Sequence, residues 1–412
     1  MNFQAPKGVS EYVPPRAALF EFVRDRLCAP AKSAGYKYME LPVFEDTALF
    51  ARGVGESTDI VTKEMYTFED RGGRSITLRP EGTAGVMRAV IEHGLDRGRL
   101  PVKALYAGAY FRAERPQKGR YRQFYQVGIE AIGLDDPLID TEVIWLADQA
   151  FKNVGLQNYR LEITSLGDAE SRAAHRKELL KFYSTLELDE ATAERAKLNP
   201  LRLFDDKRPE LIAAMAKAPL LIDFLTPSST EHFAKVRNYL DSLGVKYQLN
   251  PRLVRGFDYY TGTTFEFIHE GLGAQSAIGG GGRYDKLMSE LGGQDLSGIG
   301  WGLGVDRTIL AAEVEGVIPS DLGNPDLFII PLGGTQSNAL KIATEIRNSG
   351  KVVELAFGER ALKGAMKAAD KSGAKFVIVL GENEVASGSI ELKTMATGEL
   401  KTVRISELIN CL

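Results

Sequence analysis

The chain has 412 residues, of which 44% are hydrophobic and 26% are charged, and its formal net charge is −4. This length is enough for two or three domains with separate cores. The slightly acidic balance argues against indiscriminate nucleic-acid binding but allows a local basic site. No apolar run approaches the roughly 18 residues that a membrane helix needs, so we expect no membrane association.

Cysteine and histidine usage narrows the possible compartments and cofactors. Cys28 and Cys411 cannot form a disulfide framework, and none of the four histidines has metal-ligand spacing. Residues 1–15 lack the basic and apolar regions of a secretion signal. The chain contains neither a P-loop nor a clear dinucleotide-binding glycine fingerprint. We therefore expect a cytoplasmic protein without a protein-bound metal.

The apolar pattern predicts the elements in chain order. A helix should follow Pro15, and Pro30 and Gly35 should end or kink it. Residues 36–165 mix short strands and helices, whereas residues 168–245 are charged and helical in pattern, which indicates an insertion. Strand character returns over residues 246–306. The larger domain should therefore span residues 1–320.

A second domain follows a segment rich in turn residues. Residues 316–325 are rich in glycine, proline and aspartate, which is typical of a linker. Short apolar strands then alternate with helical stretches, which predicts a small α/β domain over residues 326–412.

A basic loop precedes a patterned strand in the middle of the first domain. Residues 112–122 hold five basic groups against one acid, Glu114. The loop is either a solvated hairpin tip or a site for phosphate or nucleic acid, whose oxygens match guanidinium groups. In the strand that follows, Gln126, Gly128 and Glu130 fall on one face. They leave room for a small polar ligand, and Glu130 could accept a hydrogen bond from an imidazole N–H.

Two further segments suggest ligand contacts. Glu81 and Thr83, two residues apart, could bind an ammonium group, or could simply form a helix entry. Glycine recurs at every second position over residues 298–304, which would let a flat ligand lie on the backbone, or would serve a tight helix–strand contact. An anion near the following helix N-terminus would be favoured beside Arg307.

Two glycine-containing segments lie before this stretch. Residues 279–282 are all glycine and precede Tyr284; they form either a flexible loop or backbone that approaches a substrate, with Tyr284 closing the pocket. Residues 253–262 read Leu-Val-Arg-Gly-Phe-Asp-Tyr-Tyr-Thr-Gly. A hairpin with aromatic packing is the ordinary interpretation of such a stretch. It closely resembles, however, the histidine-specific signature of the histidyl-tRNA synthetases.

The resemblance extends over nearly the whole chain. Residues 38–50 resemble motif 1 of the class II aminoacyl-tRNA synthetases, residues 111–132 motif 2 and residues 298–310 motif 3. Asn-Pro-Leu-Arg at residues 199–202 matches a family feature of the insertion. The resemblance implies an α/β (α+β) fold: a class II catalytic domain with an antiparallel sheet flanked by helices, a helical insertion, and the α/β anticodon-binding domain at residues 326–412. It also implies a homodimer built on motif 1.

The resemblance further implies a reaction, in which L-histidine is activated with ATP and Mg²⁺ and transferred to the 3′ end of tRNA(His). Arg112 would bind the ATP α-phosphate, with Glu114 also at the ATP site, and Arg307 would bind the terminal phosphates. Arg255 would stabilise the pentavalent α-phosphate and contact histidine.

The same resemblance assigns the remaining residues to histidine and tRNA. The histidine site would comprise residues that hold the ammonium group, position the amino acid, read the imidazole and line the pocket. These are Glu81, Gly82 and Thr83; Gln126; Glu130 and Tyr260; and Tyr259 and Tyr284. Arg115 and Gln117 would meet the tRNA acceptor end.

Three alternatives compete with this interpretation. The first is a catalytically inactive paralogue that acts as the regulatory subunit of ATP phosphoribosyltransferase, but that relative lacks the anticodon domain and loses the motif arginines. Another class II synthetase would lack the signature at residues 253–262. A pure RNA-binding protein would not need Glu81, Gln126 and Glu130 together.

Overall fold

The computed structural model describes residues 3–55, 58, 60–206, 208–358 and 361–412. The chain divides into two compact units, Met1–Ile318 and Pro319–Leu412. This division falls within the linker predicted over residues 316–325, and each unit is described separately below.

The first unit combines a large sheet with surrounding helices. Its helices are α1 Arg16–Ser33, α2 Thr47–Val54, α3 Thr83–Glu92, α4 Pro137–Val154, α5 Ala169–Tyr183, α6 Glu190–Leu198, α7 Pro209–Met215, α8 Pro227–Ser242, α9 Leu287–Glu290 and α10 Val305–Glu315. Its strands are β1 Lys37–Tyr38, β2 Phe44–Asp46, β3 Tyr66–Glu69, β4 Ser75–Leu78, β5 Val102–Phe111, β6 Gln123–Ile132, β7 Arg160–Ser165, β8 Gln248–Leu249, β9 Thr261–Ile268, β10 Ala277–Arg283 and β11 Gly298–Gly304.

The large sheet has eight strands in the order β1-β5-β6-β11-β10-β9-β7-β8. Its central pairs are antiparallel, whereas the edge pairs β1–β5 and β7–β8 are parallel. A separate three-stranded sheet has the order β2-β4-β3. The mixed α/β fold with a mainly antiparallel sheet agrees with the predicted fold class.

Helices α5 to α8 connect β7 to β8. Parallel neighbours need a long crossover, and here the crossover is the segment predicted as a helical insertion. Helix α5 begins after Asp168, whose carboxylate accepts the backbone amide of Ser171 at 2.8 Å, a normal N-cap contact. The insertion also has a small apolar cluster of its own, which includes Leu179, Leu203 and Met215.

The structure decides three local points that the sequence left open. Helix α1 continues through Pro30 and ends at Ser33, so the predicted end near Gly35 is confirmed and the one at Pro30 is not. The glycines at 279–282 do not form a flexible loop but lie inside strand β10, between β9 and β11. Residues 253–260 are irregular and β9 begins at Thr261, so the segment is not a hairpin.

The second unit has a five-stranded sheet. Its elements are β12 Leu327–Pro331, α11 Gln336–Asn348, β13 Val353–Leu355, α12 Leu362–Ser372, β14 Phe376–Leu380, α13 Glu382–Ser387, β15 Ser389–Thr394 and β16 Leu400–Arg404. Strands β13, β12 and β14 are parallel, with α11 and α12 as their crossovers, and β15 and β16 add an antiparallel hairpin. The predicted alternation of strands and helices is present.

A buried ion cluster fastens β10 to helix α4. Arg283 is only 2% exposed, and its guanidinium donates to Asp140 at 2.7 Å, to Asp135 at 2.7 Å and to Asp285 at 2.8 Å. Asp140 is completely buried and also bonds the ring of His232 at 2.9 Å. The cluster fixes the end of the strand that leads into Tyr284.

We expect Arg283→Ala to lower the free energy of unfolding by about 3–5 kcal/mol, because it leaves the Asp140 carboxylate buried without its cation. The matched control is Arg16→Ala, which removes an exposed ion pair with Glu313 and should change stability by about 0–1 kcal/mol. Both tryptophans, Trp145 and Trp301, lie in the first unit, so denaturant titration followed by tryptophan fluorescence reports on it. Equal effects of the two substitutions would contradict the assignment.

Candidate functional site

Most of the residues predicted for the site line one cavity of about 250 Å³ in the first unit. The predicted residues on its walls are Glu81, Gly82, Thr83, Arg112, Glu114, Gln126, Arg255, Tyr259, Tyr260, Tyr284 and Arg307. Glu130 is buried and is not among the lining residues, whereas Arg115 and Gln117 are exposed on the β5–β6 loop outside the cavity.

Arg112 follows directly after β5 and reaches the cavity beside an aromatic wall. Its Nε donates to the carbonyl of Pro80 at 3.1 Å, and its guanidinium lies 5.0 Å from the centre of the Phe124 ring. Burial lowers the pKa of Arg112, because the charged form has little water around it. An anion in the cavity would offset that loss of hydration.

Arg255 lies in the irregular segment before β9. One of its Nη groups donates to Glu266, but its buried Nε–H has no acceptor among the described residues. Burial lowers the pKa of Arg255, but the Glu266 carboxylate together with Tyr260 and Tyr259 raises it above the usual value. A side chain at Gly280 would come within 3.0 Å of the guanidinium, so the bare backbone of β10 makes room for it.

Arg307 is held at the start of α10. Its Nε donates to the carbonyl of Gly119 and its Nη1 to the carbonyl of Ala277, both at 2.7 Å. Burial and the charge of nearby Arg112 both lower the pKa of Arg307. Three arginines, from the residue after β5, the 253–260 segment and the start of α10, therefore meet at one cavity, where an anionic ligand would offset the repulsion between Arg112 and Arg307.

Glu81 lies at the N-terminus of α3. Its carboxylate accepts the backbone amides of Thr83 at 2.6 Å and Ala84 at 2.9 Å. Glu81 thus makes the helix-entry contact that the sequence allowed, while also lining the cavity. Burial raises its pKa although the two amides oppose this shift.

Glu130 accepts three hydroxyl groups from residues that line the cavity. Thr83 Oγ1 donates at 2.8 Å, Tyr106 Oη donates at 2.9 Å, and Tyr284 Oη also donates. Burial raises the pKa of Glu130 to about 8, although the three hydroxyls act against it. Direct contact between Glu130 and an imidazole stays a prediction, since the hydroxyls lie between this carboxyl and the cavity in the present arrangement.

Aromatic rings form the wall next to these hydroxyls. The rings of Tyr259 and Tyr260 are 4.7 Å apart, and Tyr284 meets Tyr259 edge-on at 5.8 Å. Phe257 stacks on Tyr259 at 5.2 Å. Such a wall suits a planar ligand group, because aromatic pairs favour stacked and edge-on contacts.

The glycines of β6 and β11 make room mainly for protein side chains. A Cβ at Gly128 would overlap Tyr106, one at Gly298 would overlap Tyr284, and one at Gly300 would overlap Glu130. At Gly302 the nearest atom, of Gln126, is 3.4 Å away. The end of β11 at Gly302 and Gly304 therefore has open space beside it, whereas protein side chains fill the space beside Gly298 and Gly300, so a flat ligand cannot lie along the whole strand.

Tyr106, Glu266 and Arg120 are among the cavity residues that were not assigned a role from the sequence. Tyr106 faces Gly128 across β5 and β6, and a tyrosine opposite a glycine becomes visible only once strand pairing is known. Glu266 is the acid between Phe265 and Phe267 in β9, and this pattern could have identified it as facing away from the core. Arg120 donates to Glu114 within the basic loop, and both residues line the cavity.

Over the described residues, no group of three or more histidine, cysteine, aspartate or glutamate side chains is arranged to hold a metal ion. Within the same part of the chain, no helix combines the length and apolarity needed to cross a bilayer.

The raised pKa of Glu130 predicts a pH-dependent stability. From about pH 4.3, where an unfolded glutamate ionises, to about pH 8, the native carboxyl keeps a proton that the unfolded chain releases. The free energy of unfolding should therefore fall as pH rises through this window, and Glu130→Gln should remove that part of the slope. Exposed Glu178 provides the control, since Glu178→Gln should follow the unmodified chain.

Urea titrations across this window measure the effect. A constant difference in the free energy of unfolding between Glu130→Gln and the unmodified chain would contradict the raised pKa.

Two family models match the chain. The model described as "Histidyl-tRNA synthetase" matches residues 8–308, and the model described as "Anticodon binding domain" matches residues 326–412.

Relatives with curated names match over the full length. A "Histidine--tRNA ligase" from Nocardia farcinica (strain IFM 10152) is 60% identical over 412 residues, which cover 100% of this chain and 98% of the relative. A protein with the same name from Saccharopolyspora erythraea is 58% identical and covers 99% of this chain and 97% of the relative.

Solved structures agree with these matches. The apo histidyl-tRNA synthetase of S. aureus has a TM-score of 0.81 and 35% identity, covering 100% of this chain and 99% of the other. An ATP phosphoribosyltransferase regulatory subunit/histidyl-tRNA synthetase from Bacillus halodurans C has a TM-score of 0.67 at 23% identity, covering 92% and 99%, which shows the shared fold alone. The resemblance inferred from the sequence is confirmed, and the chain belongs to the histidyl-tRNA synthetase family.

Proposed function

We propose that the cavity activates L-histidine with ATP and that the chain transfers the activated histidine to the 3′ end of tRNA(His). The observation that carries this proposal is the composition of the cavity. It combines Arg112, Arg255 and Arg307 with the buried carboxylate of Glu81 and with hydroxyls that Glu130 orients. A ligand pair that brings both an ammonium group and a triphosphate matches this set of charges.

The arginines are assigned to the phosphates. Arg112 would bind the α-phosphate and Arg307 the terminal phosphates, while Glu114 helps to shape the ATP site by pairing with Arg120. Arg255 would stabilise the α-phosphate as it becomes pentavalent. Its buried Nε–H, which lacks an acceptor among the described residues, is a donor that a phosphate oxygen could satisfy.

The opposite charges are assigned to histidine. Glu81 would attract the ammonium group, with Gly82 and Thr83 beside it, and Gln126 would position the amino acid. A cation near Glu81 would favour the ionised form of this carboxyl, which burial disfavours.

Tyr259, Tyr260 and Tyr284 would enclose the imidazole. We assign its recognition to Tyr260 and Glu130, with the Thr83, Tyr106 and Tyr284 hydroxyls fixing the Glu130 carboxyl. An amino acid without ring nitrogens would leave buried polar groups unpaired, so binding alone could reject it by about 10⁴–10⁵-fold.

The chemistry then follows from positioning. The histidine carboxylate attacks the α-phosphorus, the bond from this phosphorus to the bridging oxygen breaks, and pyrophosphate leaves. Arg112 and Arg255 stabilise the negative charge that develops on the α-phosphate oxygens. The terminal ribose hydroxyl of tRNA then attacks the histidyl carbonyl carbon, and AMP leaves. No protein nucleophile is required.

Mg²⁺ would enter with ATP. Glu114 and Glu266 line the cavity and supply carboxylate oxygens, the donor type that Mg²⁺ accepts alongside phosphate oxygens. The ion would neutralise charge on the pyrophosphate oxygens.

The tRNA is assigned to two parts of the chain. Arg115 and Gln117 are exposed on the loop next to the cavity, where they could meet the acceptor end. The second unit, which spans the match to an anticodon-binding domain, would contact the anticodon. We place this activity in the cytoplasm, where translation consumes charged tRNA.

The regulatory paralogue is the less favoured alternative. Loss of the motif arginines and of the second domain would be expected for it, yet Arg112, Arg255 and Arg307 line the cavity and the second unit is present.

A homodimer is proposed from the three-stranded sheet, of which strand β2 lies within the motif 1 residues 38–50. Register places Phe44, Phe68, Ile76 and Leu78 on one face together with Tyr66 and Asp46, and Phe44 and Phe68 remain 53% and 46% exposed. The opposite face carries threonines, of which Thr77 is fully buried. A sheet that turns its apolar face outward is expected to be covered by a partner, and a second copy of the chain fits the family resemblance.

We expect ATP–pyrophosphate exchange, measured without tRNA for each of the twenty amino acids, to occur with histidine alone. Arg255→Ala should lower the rate by about 100- to 1,000-fold, because one donor to the developing charge is lost. Lys286→Ala, which removes an exposed pair with Asp295, is the control and should leave the rate unchanged.

Exchange with another amino acid would overturn the substrate assignment. Histidine binding without any exchange would favour the regulatory paralogue instead.

We expect the chain to be a dimer by light scattering and Phe44→Asp to shift it toward monomer, since a charge would be buried in the apolar contact. Leu400→Asp, at an exposed apolar position of the second unit, should leave the mass unchanged. A monomeric chain, or a Phe44→Asp variant that stays dimeric, would remove the motif 1 surface from the proposal.

A further inference from the structure

The Asn-Pro-Leu-Arg segment at residues 199–202 is the one singled-out motif that the proposed function does not use. It lies between α6 and α7, where residues 200–205 form a 3₁₀ turn. Tyr183 donates to the Pro200 carbonyl at 2.7 Å, and Leu201 packs against both the insertion cluster and the cluster that contains Tyr259 and Tyr260. The segment therefore packs between the insertion and the aromatic wall of the cavity.

The two polar residues of the segment bind the loop that carries Arg255. Arg202 donates to the Gly256 carbonyl at 2.6 Å and to the Asp258 carboxylate at 3.3 Å. Asn199 donates to the same Asp258 oxygen at 2.7 Å. These contacts hold the backbone on both sides of Phe257, immediately after Arg255.

Asp258 is also fixed from a third direction. Its backbone amide donates to the Val54 carbonyl at 3.3 Å, and its carboxylate packs against Gly55, where a Cβ would come within 2.8 Å. Gly55 has φ +103°, a conformation that glycine adopts readily. The loop is thus bracketed by the end of α2 and by the insertion.

Arg255 itself has few other restraints. Its guanidinium pairs with Glu266 and lies 5.8 Å from the Tyr260 ring centre, and the backbone around it is irregular rather than part of a sheet ladder. We propose that Asn199 and Arg202 are positioning residues for Arg255, through which the insertion sets the geometry of the activation step. This inference rests on the proposed role of Arg255 in activation.

The test is ATP–pyrophosphate exchange by the full chain. Arg202→Ala is expected to lower kcat by about 10- to 100-fold, because a small displacement of a transition-state group has a large effect on rate. The KM for ATP should change by less than about threefold, since Arg112 and Arg307, which would bind its phosphates, lie on other elements. In an Arg255→Ala background, Arg202→Ala should cause no further loss, because its effect passes through Arg255.

The matched control is Arg208→Ala. Arg208 lines the same charged cleft of the insertion as Arg202, but it bonds Asp189, Asp206 and Thr192 within the insertion and does not touch the loop. It should leave exchange unchanged. Three results would overturn the proposal. The first is an Arg202→Ala rate equal to that of the unmodified chain, and the second is an equal loss of rate in Arg208→Ala. The third is a further loss when Arg202→Ala is added to Arg255→Ala.

Amide hydrogen exchange over residues 253–262 provides a readout that does not depend on activity. It should be faster in Arg202→Ala than in the unmodified chain and unchanged in Arg208→Ala. If the unmodified chain lacks histidine-dependent ATP–pyrophosphate exchange, the proposed function fails. Amide protection of residues 253–262 still shows whether Arg202 stabilises this loop. Unchanged protection in Arg202→Ala would refute the proposed contact.

Discussion

The concentration of like charge in a buried cavity is the constraint on which the site depends. Arg112 and Arg307 both have pKa values lowered by burial, and Arg255 has a buried donor without an acceptor among the described residues. Protein acceptors contact each of the three guanidinium groups. Carbonyl oxygens accept from Arg112 and Arg307, and the Glu266 carboxylate accepts from Arg255. The negative charge of a bound polyphosphate would neutralise the positive charge of the arginines, so ligand binding would itself stabilise their charged forms.

The same cavity also contains buried carboxyl groups, whose negative charge burial disfavours. Glu81 and Glu130 are both buried, Thr83 contacts both of them, and the charge of Glu81 adds to the burial that raises the pKa of Glu130. A cationic ammonium group relieves this. Glycines make room for these polar side chains. The missing side chains at Gly128 and Gly300 leave space for Tyr106 and Glu130, so this part of the sheet carries polar groups in place of an apolar core.

Much of this could be predicted from the sequence, and the failures have physical causes. The period-two spacing placed Gln126 and Glu130 on one face of β6, and the family signature identified Arg255. Pairing between distant strands was invisible, so Tyr106 opposite Gly128 was missed and the glycines of β10 were given a loop as one alternative. Local sequence also could not show that Glu130 would be enclosed by three hydroxyls, because these come from α3, β5 and the residue after β10.

A crystal structure of the chain with ATP and histidinol, which lacks the attacking carboxylate, tests the central claim most directly. The account predicts α-phosphate oxygens within about 3 Å of the Arg112 and Arg255 guanidinium groups, terminal phosphate oxygens at Arg307, and the amine at Glu81. ATP bound with its α-phosphate away from both Arg112 and Arg255 would contradict the claim that this cavity performs the activation.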